Sequence, residues 1–191
     1  VSHAASNLHD AARWPPLVAA IAALWIDARV PDVRPDNLLY RFNDWGEIDA
    51  WQLLSGRFIG LPLDRAAAHP AFSPATDRDM LRCELMAQIN QHLGLLNAAV
   101  QRLHPFPERT LWAYVSDTIA GLAASVLRIF GHAGAPSGAP PDVLAEAEQL
   151  MDLLPARGTS RCLRIDHCDQ TEYLPLLVNC CYLYLQNGED G

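Results

Sequence analysis

Between Thr76 and Leu103 the apolar residues Leu81, Leu85, Ile89, Leu93, Leu96, Val100 and Leu103 recur at steps of three and four. That period marks one buried face of a long helix, and Pro105 and Pro107 close it. A second helix is predicted from Glu108, whose carboxylate suits a positive helix N-terminus, to just before Gly131. Leu111, Val115, Ile119, Leu122, Val126 and Ile129 give it the same period. A shorter one is predicted over Asp142–Leu154 with its acidic residues outward. Upstream, a first helix is expected to start at Pro15 or Pro16, where a missing N–H costs nothing, and to run to about Arg29. The stretch Val30–Pro74 breaks the helical period with prolines at 31, 35, 62, 70 and 74. Short helices near Asp49–Ser55 and a turn at Asp44-Trp45-Gly46 are expected there.

Beyond Pro155 the pattern changes. Arg161–Ile165 and Val178–Gln186 read as short strands, because Cys180-Cys181-Tyr182-Leu183-Tyr184-Leu185 favours an extended chain. Asn187-Gly188 is a tight-turn dipeptide. Gly131–Pro141 (GHAGAPSGAPP) reads as a flexible loop by composition. The fold class is therefore mainly α with little β: one domain over 1–191, with a small C-terminal cysteine-bearing hairpin. Residues 155–191 form its tailpiece.

Composition narrows the chemistry. The chain has 191 residues, half of them hydrophobic and 19% charged, which suits a packed core. The net charge is −8 and all 14 basic residues are arginine. Without lysine, Schiff-base chemistry and a Walker-type phosphate loop are excluded. The arginines are scattered singly, so no nucleic-acid partner is expected. Leu17–Ile26 is about ten residues long, against roughly 20 for a membrane span, so neither a secretory leader nor a transmembrane segment is expected. Five cysteines then fit a reducing compartment, with the cytoplasm as the expected location.

Cys83 falls within the long helix between Leu81 and Leu85 and is expected to be a buried structural thiol. The other four cysteines, Cys162, Cys168, Cys180 and Cys181, lie within the last 30 residues. Thiolates are soft, anionic ligands for zinc or iron–sulfur clusters. The spacing contains no pair of C-x-x-C knuckles, and adjacent cysteines on a regular strand point to opposite faces. Metal ligation and buried free thiols both remain open readings of the spacing.

Cys180-Cys181-Tyr182-Leu183-Tyr184 resembles the cysteine pair of the FhuF-type ferric-siderophore reductases. In that family a Cys-Cys pair, ten intervening residues and a Cys-x-x-Cys together hold a [2Fe–2S] cluster. Here ten residues, Tyr182–Gly191, follow the pair. Gln91-His92-Leu93-Gly94-Leu95-Leu96, then Arg109-Thr110-Leu111-Trp112-Ala113 and Ser116-Asp117-Thr118-Ile119-Ala120-Gly121, is similar to the family's central helix pair. The likeness covers Met80–Gly191. The residues before the pair, Leu177-Val178-Asn179, depart from the family's arginines, and the last Cys-x-x-Cys is absent from this sequence.

The resemblance implies a [2Fe–2S] cofactor on Cys180 and Cys181. Cys162 and Cys168 are candidates for the missing ligands, and a chain that binds no cluster is the other option. It further implies a ferric siderophore as substrate and an unidentified electron donor, with reduction releasing ferrous iron. Arg157, Arg161 and Arg164 are candidates for a patch that binds an anionic siderophore, with Arg161 and Arg164 nearest Cys162. Two rival classes stand beside this one. One is a cluster-free helical protein that binds a siderophore or a biosynthetic intermediate. The other is a zinc-stabilised interaction domain using Cys162, His167 or Cys168, Cys180 and Cys181.

Remaining constellations are weaker. His167-Cys168 is the one place where a histidine adjoins another candidate ligand, but strand neighbours point apart, which disfavours a nucleophilic Cys168. His92 reads as a boundary residue of the long helix. Trp14, Trp25, Trp45, Trp51 and Trp112 read as core-filling. The irregular Tyr40–Phe58 region is the expected wall of any siderophore site, since loops carry binding residues.

Overall fold

A computed structural model describes residues 2–130, 142–156, 160–167 and 170–177. The chain is mainly α with small sheets of two and three strands. It divides into two compact units, the first running through Phe106 and the second starting at Pro107, and each is described by itself. The proline-interrupted stretch Val30–Pro74 lies in the first unit, and the hairpin that carries Cys162 lies in the second.

The first unit begins with helix α1, Ser2–Asp27. The expected start at Pro15 or Pro16 is corrected: both prolines lie inside the helix. A helical Pro16 leaves the Ala12 carbonyl without its i+4 N–H donor. The Tyr40 hydroxyl takes that place, donating to the Ala12 oxygen at 2.8 Å. A tertiary donor thus offsets part of the cost that makes proline a helix breaker. Ala28 ends α1 with φ +52°, the left-handed conformation in which glycine is usual and in which an L-residue costs about 1 kcal/mol.

Strands β1 (Arg29–Pro31), β4 (Phe58–Gly60) and β5 (Phe72–Pro74) form one sheet, with β4 in the middle, antiparallel to β1 and parallel to β5. A Cβ at Gly60 would stand 2.9 Å from an Asp64 carboxylate oxygen. Glycine there lets Asp64 close on Arg29 through two bonds of 2.6 and 2.7 Å. Strands β2 (Leu38–Phe42) and β3 (Ile48–Leu53) form an antiparallel hairpin. This corrects the short helix expected near Asp49–Ser55; Trp51 faces Tyr40 across the ladder, and aromatic cross-strand pairs favour the extended chain. The turn expected at Asp44-Trp45-Gly46 is present, with Gly46 at φ +78°.

Helix α2, Arg78–Leu103, follows the predicted period. The Asp77 side chain caps it by accepting from Met80 N at 2.8 Å. Leu81, Leu85, Ile89, Leu93 and Val100 are buried, whereas Leu103 is exposed. With α1 supplying Leu17, Ile21, Leu24 and Trp25, these residues form the core of the unit. Cys83 is exposed, correcting the expected buried thiol. A residue two positions from both Leu81 and Leu85 lies about 200° round a helix from each, on the opposite face.

The second unit consists of α3 (Glu108–Phe130), α4 (Val143–Asp152) and an antiparallel hairpin of β6 (Arg161–His167) and β7 (Gln170–Leu176). α3 is long and apolar enough to cross a membrane by length and composition alone. Within the unit it packs against α4, β6 and β7, and its buried residues include Leu111, Val115, Ser116, Ile119, Ala120 and Ala123. The outer positions of the predicted stripe differ: Ile129 is exposed, and small alanines occupy the buried centre. Asp142 caps α4 through the N–H groups of Leu144 and Ala145. The second expected strand, Val178–Gln186, lies outside the described residues, as do the Asn187-Gly188 turn and the Gly131–Pro141 loop. The partner of β6 is instead Gln170–Leu176.

Candidate functional site

Of the residues proposed as cluster ligands, Cys162 is described; Cys168, Cys180 and Cys181 lie outside the described residues, as does Arg157. Cys162 stands on β6 opposite Pro175 of β7. It is half-buried, and burial pushes its thiol pKa up, the usual effect of removing a thiolate from water. A thiol that coordinates a metal is deprotonated outright. Among the described residues no group of three or more histidine, cysteine or acidic side chains could hold a metal ion.

The register of the hairpin sorts the cysteines by its two ends. His167, from which the chain continues into Cys168, is five residues along β6 from Cys162, about 17 Å at the rise of a strand. Pro175 pairs directly with Cys162, and Cys180 follows Pro175 by five residues, a reach of at most about 18 Å. Cys162 therefore stands at the end of the hairpin from which Cys180-Cys181 continue, away from the turn.

Arg161 and Arg164 are both exposed, but they are three residues apart on a regular strand and so face opposite sides. Arg164 pairs with Tyr173, and Arg161 with Leu176. The expected arginine patch is corrected for this pair: Arg164 shares the Cys162 face and Arg161 does not. The Arg161 face carries the cross-strand pair Leu163–Leu174, 40% and 47% exposed.

In the first unit two places in the Tyr40–Phe58 region have the form of sites. A cavity of about 230 Å³ beside the β2–β3 hairpin is lined by Trp14 and Pro15 of α1 and by Ile48 and Trp51 of β3, with Asp10 and Asp49 among its walls. Trp14 is 54% exposed. Among the five tryptophans Trp25 and Trp112 fill cores, Trp45 is 88% exposed, and Trp14 and Trp51 line this groove. The core expectation thus holds for two and fails for Trp14 and Trp45.

The second place is a buried polar junction that sequence reasoning missed. His92 is 9% exposed, which corrects its reading as a boundary residue. Its Nε2 lies 3.2 Å from the Tyr40 oxygen. Tyr40 has a single hydroxyl proton, which goes to Ala12, so Nε2 is assigned as the protonated nitrogen donating to the tyrosine oxygen. One turn of α1 earlier, His9 Nε2 lies 3.0 Å from Asn97 Oδ1, both buried. The signal in the sequence was the pair Pro15-Pro16: a proline inside an amphipathic pattern asks for a tertiary donor.

Burial holds the His92 pKa below its ordinary 6.5 and pushes Tyr40 up to about 12. Arg34 lowers Asp32, and Arg29 lowers Asp64, below the ordinary 3.8. The unfolded chain takes up a proton at His92 before the folded chain does, so stability falls as pH drops below about 6.5. The aspartates contribute stability above about 3.8 and lose it as pH falls through their lower folded values. The expected thermal midpoint of the first unit declines in two steps, and His92→Gln removes the upper one. A wild-type midpoint that stays constant from pH 7 to pH 5 would contradict this.

No protein-family model matches the chain, and neither a curated protein nor a solved structure is similar to it.

Proposed function

We propose that the chain is an iron–sulfur electron-transfer protein of the ferric-siderophore reductase kind, with Cys180 and Cys181 as ligands. One observation supports this reading most: hairpin register sets Cys162 beside the end of β7, within chain reach of the Cys180-Cys181 pair. Cys162, Cys180 and Cys181 would supply three of the four ligands that a [2Fe–2S] cluster takes. Cys168, continuing from the opposite end of the hairpin, is the weaker candidate. When bound, the cluster supplies one electron at a time. The half-buried surroundings of Cys162 limit water around a thiolate there, one of the levers on a cluster's potential. Arg164, on the same face, offers positive charge to an anionic siderophore. Ferrous iron binds hard oxygen donors less well than ferric iron does, so reduction frees the metal.

The groove of Trp14 and Trp51 favours a second reading, a cluster-free helical protein that binds a siderophore or a biosynthetic intermediate. Protein purified without oxygen and reconstituted with iron and sulfide distinguishes them. The reductase reading expects visible absorption that dithionite bleaches, lost in Cys180→Ser and Cys181→Ser and weakened in Cys162→Ser, with Cys168→Ser unchanged. A protein that stays colourless after reconstitution sinks it. Zinc bound to the same thiols would also leave the protein colourless, but a chelator should then loosen the tailpiece.

A further inference from the structure

A cavity of about 210 Å³ opens on the β1–β4–β5 sheet of the first unit. Its floor is the middle rung of that sheet, where Val30 pairs with Ile59 and Ile59 with Ser73. Glu84 and Gln88, one turn apart on α2, form one wall, and Arg34 and Arg57 line another.

The arginines are fixed by one buried carboxylate. Asp32, its side chain 6% exposed, accepts Arg34 Nε and Nη2 at 2.8 and 2.7 Å. It also accepts Arg57 Nε at 3.1 Å, with Arg57 Nη2 at 2.9 Å. Each guanidinium carries five N–H donors. Among the described residues the two side chains have no other hydrogen-bond partner, and they are 41% and 57% exposed. Their remaining donors are open to a ligand. On α2, Glu84 Oε1 accepts from Gln88 Nε2 at 3.0 Å, while Gln88 Oε1 accepts from Val33 N at 2.8 Å. That chain of bonds steadies the acidic wall as Asp32 steadies the basic one.

Charge decides what such a site takes. Arg34 and Arg57 balance Asp32 and Glu84, so the cavity is neutral in sum and lined by both signs of charge, with Glu84 near enough to act on Arg34. A simple anion gains the arginines and meets two carboxylates; a simple cation meets the reverse. A molecule bearing both charges satisfies both walls. The volume is below the roughly 300–1,000 Å³ of drug-sized sites, which selects a small one. The geometry points to a binding site for a small zwitterion carrying a carboxylate and an ammonium. The carboxylate lies on Arg34 and Arg57, the ammonium on Glu84, and the apolar stem over Val30 and Ile59. This goes beyond the electron-transfer reading and stands independently of it.

The test is calorimetric titration and thermal shift of the full chain with glycine, 4-aminobutyrate, 5-aminopentanoate, alanine and valine, beside butyrate and butylamine. At least one zwitterion is expected to bind at millimolar concentration, with butyrate and butylamine at least tenfold weaker. Glu84→Gln and Arg57→Gln are each expected to lower that affinity tenfold or more. Arg57→Gln leaves Arg34 on Asp32, and circular dichroism checks that both variants fold. The inference is overturned if no zwitterion binds at millimolar concentration. It is equally overturned if butyrate binds as tightly as the zwitterions and Glu84→Gln changes nothing, which would describe a plain anion site.

Discussion

Replacing Asn37 by alanine is expected to lower the unfolding free energy of the first unit by about 3 kcal/mol or more. Asn37 is 2% exposed and joins two segments of the Val30–Pro74 region. Its Nδ2 donates to the Asp32 carbonyl at 2.7 Å and to the Ser55 carbonyl at 3.2 Å. Its Oδ1 accepts from Ser55 N and Ser55 Oγ, both at 2.9 Å. Alanine leaves these groups without the side chain they bond, and a buried polar group left unmade costs about 1–3 kcal/mol. Ser55→Ala removes a single hydroxyl bond and is expected to cost about 1 kcal/mol. Urea unfolding of the two variants gives the comparison. A loss in Asn37→Ala no larger than that in Ser55→Ala would mean that the segments are held together by something else. Because Asn37 bonds the Asp32 carbonyl, the larger loss would also loosen the carboxylate that fixes Arg34 and Arg57.

Trp25→Ala is expected to cost about 3–5 kcal/mol, the range for a large aromatic removed from a core. Trp25 is 1% exposed, among the core residues of α1. Its indole nitrogen is buried with no hydrogen-bond partner among the described residues. Trp25→Phe therefore removes an unmade bond along with some packing, and its expected loss is about 1 kcal/mol. Thermal or urea unfolding separates the two contributions. If phenylalanine costs as much as alanine, removing the buried donor brings no relief and the buried-donor argument fails.

Some of this fold was legible along the chain because the signal is local. Leu81, Leu85, Ile89 and Leu93 repeat at the helical period, and Pro105 and Pro107 end α2. The turn at Asp44–Gly46 was equally readable from its own residues. Elsewhere local preference was overruled. Pro15 and Pro16 read as a helix start, yet α1 runs through them because Tyr40, 28 residues away, donates to the Ala12 carbonyl. Residues 48–53 form a strand because a partner strand, Leu38–Phe42, supplies the ladder. Cys83 lies in the predicted helix but on its exposed face, about 200° round the axis from Leu81 and from Leu85.

The candidate sites divide the same way. The sequence by itself determined that four of five cysteines cluster near the C-terminal end, that every basic side chain is an arginine, and that the helices have one apolar face. Composition and local period carry those facts without any long-range contact. Only the tertiary structure decided that Arg161 and Arg164 face opposite sides of a hairpin. It alone set Cys162 at the end of that hairpin leading to Cys180-Cys181, and gathered Asp32, Arg34, Arg57 and Glu84 around one cavity. The reason is physical: strand register and helix packing are chosen by burial over tens of residues, and a side chain's neighbours across space are fixed by that choice, not by its neighbours in sequence.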